Sequence, residues 1–339
     1  MKTVCFGELM MRLNPEGYNR IRQASKFDVS YAGGEANVAV SLANYGVPAY
    51  FLTKLPDNEI GTSAMEAIRR YGVHTDLILW GGERIGIYFV EKGASQRSSK
   101  VIYDRKNSSI ALAEPEEFDW NKIFDDCEWF HFTGITPALS DNLAQACLEA
   151  CKAAKEKKIT VSCDLNYRKN LWSKEEAKEV MSRLMTYVDI CIANEEDASD
   201  VFGITAEGTD VESGKLNKNG YISVAKQLTE KFGCKKVAIT LRGSLSANDN
   251  EWAGMLYANG KSYFSKEYRI HIVDRVGGGD SFGGALIYAI QNDYDPQRTI
   301  EFAVAASCLK QTIEQDFNLV SVKEVEALMK GSGTGRVQR

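Results

Sequence analysis

A chain of 339 residues, 44% hydrophobic and 26% charged, has the composition of a globular enzyme and the length for one large α/β domain or two modest ones. Its formal charge of −5 argues against nucleic acid or an anionic membrane as the main partner, so an anionic ligand must be met by local Lys and Arg. Eight scattered cysteines without a C-x-x-C pair, and three histidines, argue against a clustered metal site and read as small buried thiols in a reducing compartment.

Val4-Cys5-Phe6 opens a short buried strand that ends at Gly7-Glu8. The apolar stretch to Met11 is interrupted by Glu8 and followed by Arg12, too short for a signal sequence. No run reaches the roughly 18 apolar residues of a membrane span, and the cytoplasm is the expected location. From Gly34 to Gly46 the apolar residues recur at helical spacing, with Gly46 as the stop. Tyr50 to Leu55 reads as a strand and Gly61 to Tyr71 as a helix. The alternation then repeats: strand at Trp129–Phe132, helix at Ser140–Lys157, strand at Thr160–Cys163, helix at Ser173–Met185, strands at Asp189–Ile192 and Lys236–Thr240. Such alternation predicts an α/β fold, a mostly parallel sheet covered by helices on both faces.

Two segments break the rhythm. Phe27–Ala32 and Arg84–Tyr103 are strand-rich without an intervening helix, and they predict a small antiparallel sheet laid over the main one as a lid, with its outer face a candidate dimer surface. The lid segments span about 8–32 and 84–106 of a single domain covering 1–330. Ala206–Gly220 reads as a polar surface insertion, and 331–339 has the composition of a disordered tail.

The chemistry concentrates in Asp274-Arg275-Val276-Gly277-Gly278-Gly279-Asp280, which leads into an apolar helix. Glycines at a helix N-terminus present backbone N–H groups to an anion, and the helix dipole favours the same charge. A carboxylate beside such donors is the minimal apparatus of phosphoryl transfer. A tight turn with Asp280 as N-cap is the plainer alternative. No G-x-x-x-x-G-K-[ST] is present, since Gly214-Lys215 is followed by Leu216. The dinucleotide fingerprint fails as well: Gly7 stands alone after the first strand, and Phe282 takes the third position after Gly277 and Gly279.

The Gly277–Gly284 segment resembles the C-terminal signature of the PfkB (ribokinase-like) carbohydrate kinases. Tyr31-Ala32-Gly33-Gly34-Glu35-Ala36-Asn37 resembles their N-terminal one, and Pro56-Asp57-x-x-x-Gly61 and Asn194-Glu195-Glu196-Asp197 follow in the matching order. The resemblance implies a ribokinase-like three-layer sandwich, ATP and Mg²⁺. It makes Asp280 the base that takes the proton of the attacking hydroxyl, with the N–H groups of Gly277, Gly278 and Gly279 stabilising the migrating phosphoryl group. Asn194, Thr240, Arg242 and Gly243 fall on the implied nucleotide side, Ala303–Lys310 flanks the adenine or is plain helix core, and Asp197 serves Mg²⁺, through water if its short side chain does not reach. Two departures matter. Arg275 stands where the family has Thr, which leaves the family's monovalent-cation site open, and Asp197 replaces the family's Glu.

Within that family the chain is most similar to the 2-keto-3-deoxygluconate kinases. Gly33 and Gly34 are then the approach to the sugar hydroxyls, Tyr88 and Tyr103 hydroxyl donors, and Arg105 and Arg168 the holders of a carboxylate, since guanidinium forks match carboxylates bidentately. The expected partners are a sugar acid and ATP. A fructokinase or other neutral-sugar or nucleoside kinase is the alternative in class, and a non-catalytic sugar sensor on the same fold the alternative in kind. Closure of the lid over the substrate, carrying Tyr88 and Tyr103, is a further expectation.

Overall fold

The computed structural model describes residues 2–194, 196–205 and 218–331. In chain order its first half runs β1 (Lys2–Phe6), β2 (Met10–Asn14), β3 (Asp28–Ala32), α1 (Gly34–Asn44), β4 (Ala49–Leu52), β5 (Lys54–Leu55), α2 (Glu59–Arg69), β6 (Leu79–Trp80), β7 (Gly86–Glu91), β8 (Lys100–Asp104), α3 (Trp120–Ile123), β9 (Cys127–Thr133) and α4 (Asp141–Glu156). The second half runs β10 (Thr160–Asp164), α5 (Lys174–Met185), β11 (Ile190–Ala193), α6 (Asp197–Phe202), α7 (Lys218–Phe232), β12 (Lys236–Ser244), β13 (Asp249–Ala258), β14 (Lys261–Phe264), β15 (Tyr268–His271), α8 (Gly278–Gln291), α9 (Pro296–Lys310) and α10 (Val322–Met329).

The main sheet has the order β14-β13-β12-β11-β10-β9-β1-β4, with β15 also paired to β13. Strands β4 through β12 along this path are mutually parallel, and β13, β14 and β15 add an antiparallel edge. The period-2 alternation of the strands divides their side chains between two cores. Val4 and Phe6 of β1 enter the core beneath α4, α5 and α7, whereas Cys5 enters the one beneath α1, α8 and α9. The α/β fold expected from the sequence, a mostly parallel sheet covered by helices on both faces, is the fold found.

Three local readings are corrected. The stretch Tyr50–Leu55 is broken at the buried Thr53, and β5 leaves the main sheet to pair with β6. The helix read from Gly61 starts at Glu59, because the Asn58 side chain accepts from the N–H groups of Ile60 and Gly61 and caps it. The strand at Lys236 does not turn after Thr240 but continues through Gly243 to Ser244, held by β13.

A second, four-stranded sheet lies over the first in the order β3-β2-β7-β8. It is mixed rather than antiparallel, since β2 and β7 pair in parallel. They belong to separate excursions of the chain, and a parallel neighbour needs such a crossover. Residues 206–217, most of the polar insertion, and 332–339 of the tail lie outside the described residues. Among the described residues no helix is long and apolar enough to cross a membrane, and all eight cysteines are free thiols, seven of them buried.

Candidate active site

Residues at the carboxyl ends of β10, β11 and β12 open into a cavity of about 400 Å³ between the two sheets, the position where parallel sheets place their ligands. Two helices begin there. α8 starts at Gly278 behind Gly277, whose φ of 81° and close approach to the Asp316 carbonyl both require glycine: a Cβ would lie 2.1 Å from that oxygen. α1 starts at Gly34 behind Gly33, where a Cβ would lie 1.9 Å from the Glu8 carbonyl oxygen. The two N-termini meet closely enough that a Cβ on Gly34 would sit 3.7 Å from Asp280 Oδ1.

Asp280 is half-buried in the first turn of α8. Its Oδ2 accepts from Asn37 Nδ2 at 2.7 Å, so the second signature orients the acid of the first. Burial pushes its carboxyl up to about 6, with the Asn37 hydrogen bond opposing, Asp316 and Glu35 adding to the rise and Arg168 opposing. The loop donors are fewer than the sequence suggests. Gly278 N–H is spent on the Arg275 carbonyl at 3.2 Å, which leaves those of Gly277 and Gly279, with Asp280's own, at the mouth of the helix. A Cβ on Gly279 would meet nothing within 4 Å.

A second acidic wall faces Asp280. Asp164, at the end of β10, is raised well above the usual carboxylate range by burial and then by repulsion from Asp197 and Asp280. Asp197 is raised by burial while accepting from the N–H groups of Tyr167 and Asn194, both at 3.1 Å. The Asn194 side-chain oxygen caps α6 by accepting from Glu196 and Asp197 N–H at 2.8 and 3.0 Å, so its oxygen is structural; Glu195 lies outside the described residues. Arg168 stands among these acids, half-buried, donating to the Tyr167 carbonyl at 2.9 Å and pairing with no carboxylate among the described residues.

Arg105 is different. Its Nε and Nη2 both bind Glu8, at 2.7 Å from Nε, and Ser108 Oγ completes the Glu8 carboxylate at 2.6 Å. It lines the cavity with most of its charge already matched, which corrects the expectation that both arginines are free to hold a carboxylate. Tyr88 also differs from expectation, because its hydroxyl donates to Asp316 at 2.9 Å and is not a free donor. Tyr103 is exposed, stacks on Tyr88 with centroids 6.0 Å apart, and carries the Arg105 guanidinium over its ring at 5.3 Å.

On the far side Thr240 and Arg242 share one face of β12 and reach the cavity. Gly243, one residue on, faces away, where a Cβ would meet Glu251 of β13, and it does not line this cavity. Ala303–Lys310 is buried helix. Sequence reasoning overlooked Asn37, although it stood inside the quoted signature, and Arg12. Arg12 is fully buried on the inner face of β2 and binds both Asp274, at 2.6 Å, and Asp316, tying the small sheet to the glycine loop. Nothing in the local sequence signals a contact spanning 304 positions.

A mostly parallel sheet, two glycine-started helices converging on one carboxylate, and a β cover above them define a small-molecule phosphotransferase. The sequence profile of the pfkB family carbohydrate kinases matches residues 1–315, and the chain belongs to that family. It is 31% identical over 333 residues to the 2-dehydro-3-deoxygalactonokinase of Haloferax volcanii, covering 98% of each chain. It is 27% identical to the 2-dehydro-3-deoxygluconokinase of Thermoproteus tenax, covering 96% of this chain and 94% of that one. Among solved structures, the 2-dehydro-3-deoxygluconokinase of Thermotoga maritima matches with a TM-score of 0.94 at 54% identity, covering 98% of both chains.

Proposed function

We propose that this kinase transfers the γ-phosphoryl group of ATP to the terminal hydroxyl of 2-dehydro-3-deoxygluconate, giving the 6-phosphate. The observation that carries the reading is Arg168, a cavity guanidinium in the same pocket as Asp280 that forms no ion pair with a carboxylate among the described residues. A sugar acid can engage its remaining donors bidentately, a match that a neutral sugar does not offer. The names of the relatives agree, because both curated relatives and the Thermotoga maritima enzyme are named for 2-keto-3-deoxy sugar acids.

In this reading Asp280 accepts the proton as the substrate oxygen attacks the γ-phosphorus, and the bond from that phosphorus to the β-bridging oxygen breaks. The amides of Gly277 and Gly279 face the charge on the moving group. Thr240 and Arg242 flank the nucleotide. Gly33 and Gly34 let the sugar reach the backbone, Arg168 holds its carboxylate, Arg105 adds its remaining nitrogen, and Tyr103 closes over it. Asp164 and Asp197 fit Mg²⁺ carried in on ATP: two neighbouring carboxylates raised chiefly by burial, Asp164 also by repulsion from Asp197, would gain from a nearby cation. Among the described residues there is no cage of three ligating side chains, as suits an ion that keeps its waters and phosphate ligands. Held there, Mg²⁺ would supply neutralisation of phosphate charge.

The test is ADP release with ATP and Mg²⁺ across 2-dehydro-3-deoxygluconate, its galactonate epimer, fructose, ribose and adenosine. The gluconate should lead fructose by at least about 100-fold in kcat/KM, and Arg168→Ala should erase most of that lead. Fructose turned over as well as the acid would sink the reading. The galactonate epimer is the second reading, favoured by the 31% match to the Haloferax volcanii enzyme.

We further propose self-association through the small sheet. Val29, Leu13, Phe89 and Ile102 form one cross-strand row on its outer face, with Val29 55% and Ile102 53% exposed. A second copy of the same sheet would cover it.

A further inference from the structure

The family resemblance implies a monovalent cation beside the glycine loop, and such an ion needs main-chain carbonyl oxygens turned toward it. The loop entering α8 does turn carbonyls inward, those of Asp274 and Val276, and the 315–316 segment supplies a third from Gln315. All three accept from one group, Lys310 Nζ, at 3.1 Å from Asp274 and 2.6 Å from Gln315, with Val276 closer still. The residues present therefore do not fit a bound cation, because its ligands are taken.

We propose that the ammonium group of Lys310 is a built-in replacement for that ion, a positioning residue that clamps the glycine loop so that its amides are set for phosphoryl transfer without K⁺ or Na⁺. Four observations support this. Lys310 is the last residue of α9 and is 0% exposed, so its ammonium has no solvent to bind. An ammonium carries three N–H donors, and it meets three carbonyls, which satisfies it completely. It lies at the carboxyl end of a helix, where the dipole favours a cation. The charges of the two ion-paired acids also balance: Arg12 and Lys310 face Asp274 and Asp316, and these four groups sum to zero with the lysine and to −1 without it.

The clamp reaches the chemistry through backbone. Asp274 and Val273 N–H both donate to the Gln311 carbonyl, at 3.2 and 2.9 Å, one residue after Lys310. Asp274 Oδ2 accepts from Gln315 N–H at 3.2 Å, and Ser307 Oγ donates to the Gly278 carbonyl at 2.6 Å from the same helix. Lys310 sits at the centre of these bonds, between the two segments they join. Burial lowers its affinity for the proton, and Asp274 and Asp316 oppose that.

The inference rests on the kinase assignment but not on which sugar is used. The experiment compares wild type, Lys310→Ala and Lys310→Met in tetramethylammonium chloride, potassium chloride and ammonium chloride at equal ionic strength, with ATP and Mg²⁺ free of other monovalent ions. Phosphorylation rate and thermal midpoint are both read. Wild type should be indifferent to the salt, within about twofold. Lys310→Ala should lose about tenfold or more in tetramethylammonium, the effect of losing a charge-assisted contact. It should regain most of that in K⁺ or ammonium, with a midpoint that rises in those salts only for this variant. Lys310→Met, whose side chain fills the space without charge, should lose rate and regain none.

Strong K⁺ activation of wild type overturns the proposal. So does a folded Lys310→Ala whose rate and midpoint ignore the cation. If that variant folds only in K⁺ or ammonium, the proposal stands; if it folds in no salt, the wild-type comparison decides. A wild type that phosphorylates no sugar would defeat the kinase reading instead, and the salt-dependent midpoint of Lys310→Ala would still decide this one.

Discussion

Ionising Asp280 works against the fold and, in the proposed mechanism, for the reaction, and the two can be measured separately. Its carboxyl is moved from an ordinary 3.8 up to about 6, first by burial. Between those values the native state holds a proton that the unfolded chain has released, so this group's contribution to stability falls as pH rises through about 6. Asp280→Asn removes the buried charge, and should gain on the order of 1–3 kcal/mol of stability at pH 8. The gain should shrink to nothing near pH 4, as read by thermal denaturation against pH. The same variant should lose about 10²- to 10⁴-fold in turnover with substrate binding largely kept. In the wild type kcat/KM should climb through about pH 6 as the base ionises. An advantage of the variant over the wild type that is no larger at pH 8 than at pH 4 would contradict the origin given for the shift.

At the scale of elements, the glycines of the loop divide by task. Gly277 is fixed by its backbone: alanine there needs a left-handed conformation and collides with the Asp316 carbonyl. Gly277→Ala should therefore cost at least about 2 kcal/mol and displace the segment that carries Asp316. Gly279 faces open space, so Gly279→Ala should keep its melting temperature and lose activity, because the methyl group occupies the phosphoryl path. Equal stability losses at both positions would contradict this division. The strand-helix alternation from β9 to β12 was legible because each short apolar run was followed by a 3.6-residue periodicity, and the two signatures singled out Asp280 and Gly34, which the structure brings together. What escaped depended on contacts without a local pattern: the cap at Asn58, the excursion of β5 to β6, and the antiparallel edge from β13 to β15. Alternation did not settle donor roles either. Gly278 and Tyr88 have the right chemistry, but their hydrogens go to Arg275 and Asp316.

For the molecule as a whole, the small sheet presents two unlike faces. Its inner row, Ser30, Arg12, Tyr88 and Tyr103, looks toward the cavity, and its outer row is apolar. Ile102→Glu should convert an assembled protein to monomers at micromolar concentration, measured by light scattering. An unchanged mass, or a monomeric parent, would remove the case for pairing through this face. The general placement of this sheet could be read from two segments lacking helices. Its anchoring could not, because Arg12 finds its partners at Asp274 and Asp316 only after the whole chain has folded.

That anchoring decides which part of the cover is free to swing. Pulling β2 away would strip Arg12 from two buried carboxylates, a loss of about 3–5 kcal/mol, and would take Tyr88 from Asp316 as well. β8 has no such tether to the floor: all five of its residues are exposed, Tyr103 among them. On the proposed kinase reading the outer strand is the part of the cover expected to move, so that sugar would enter and its phosphate leave past Tyr103 while β2 and β7 stay in place.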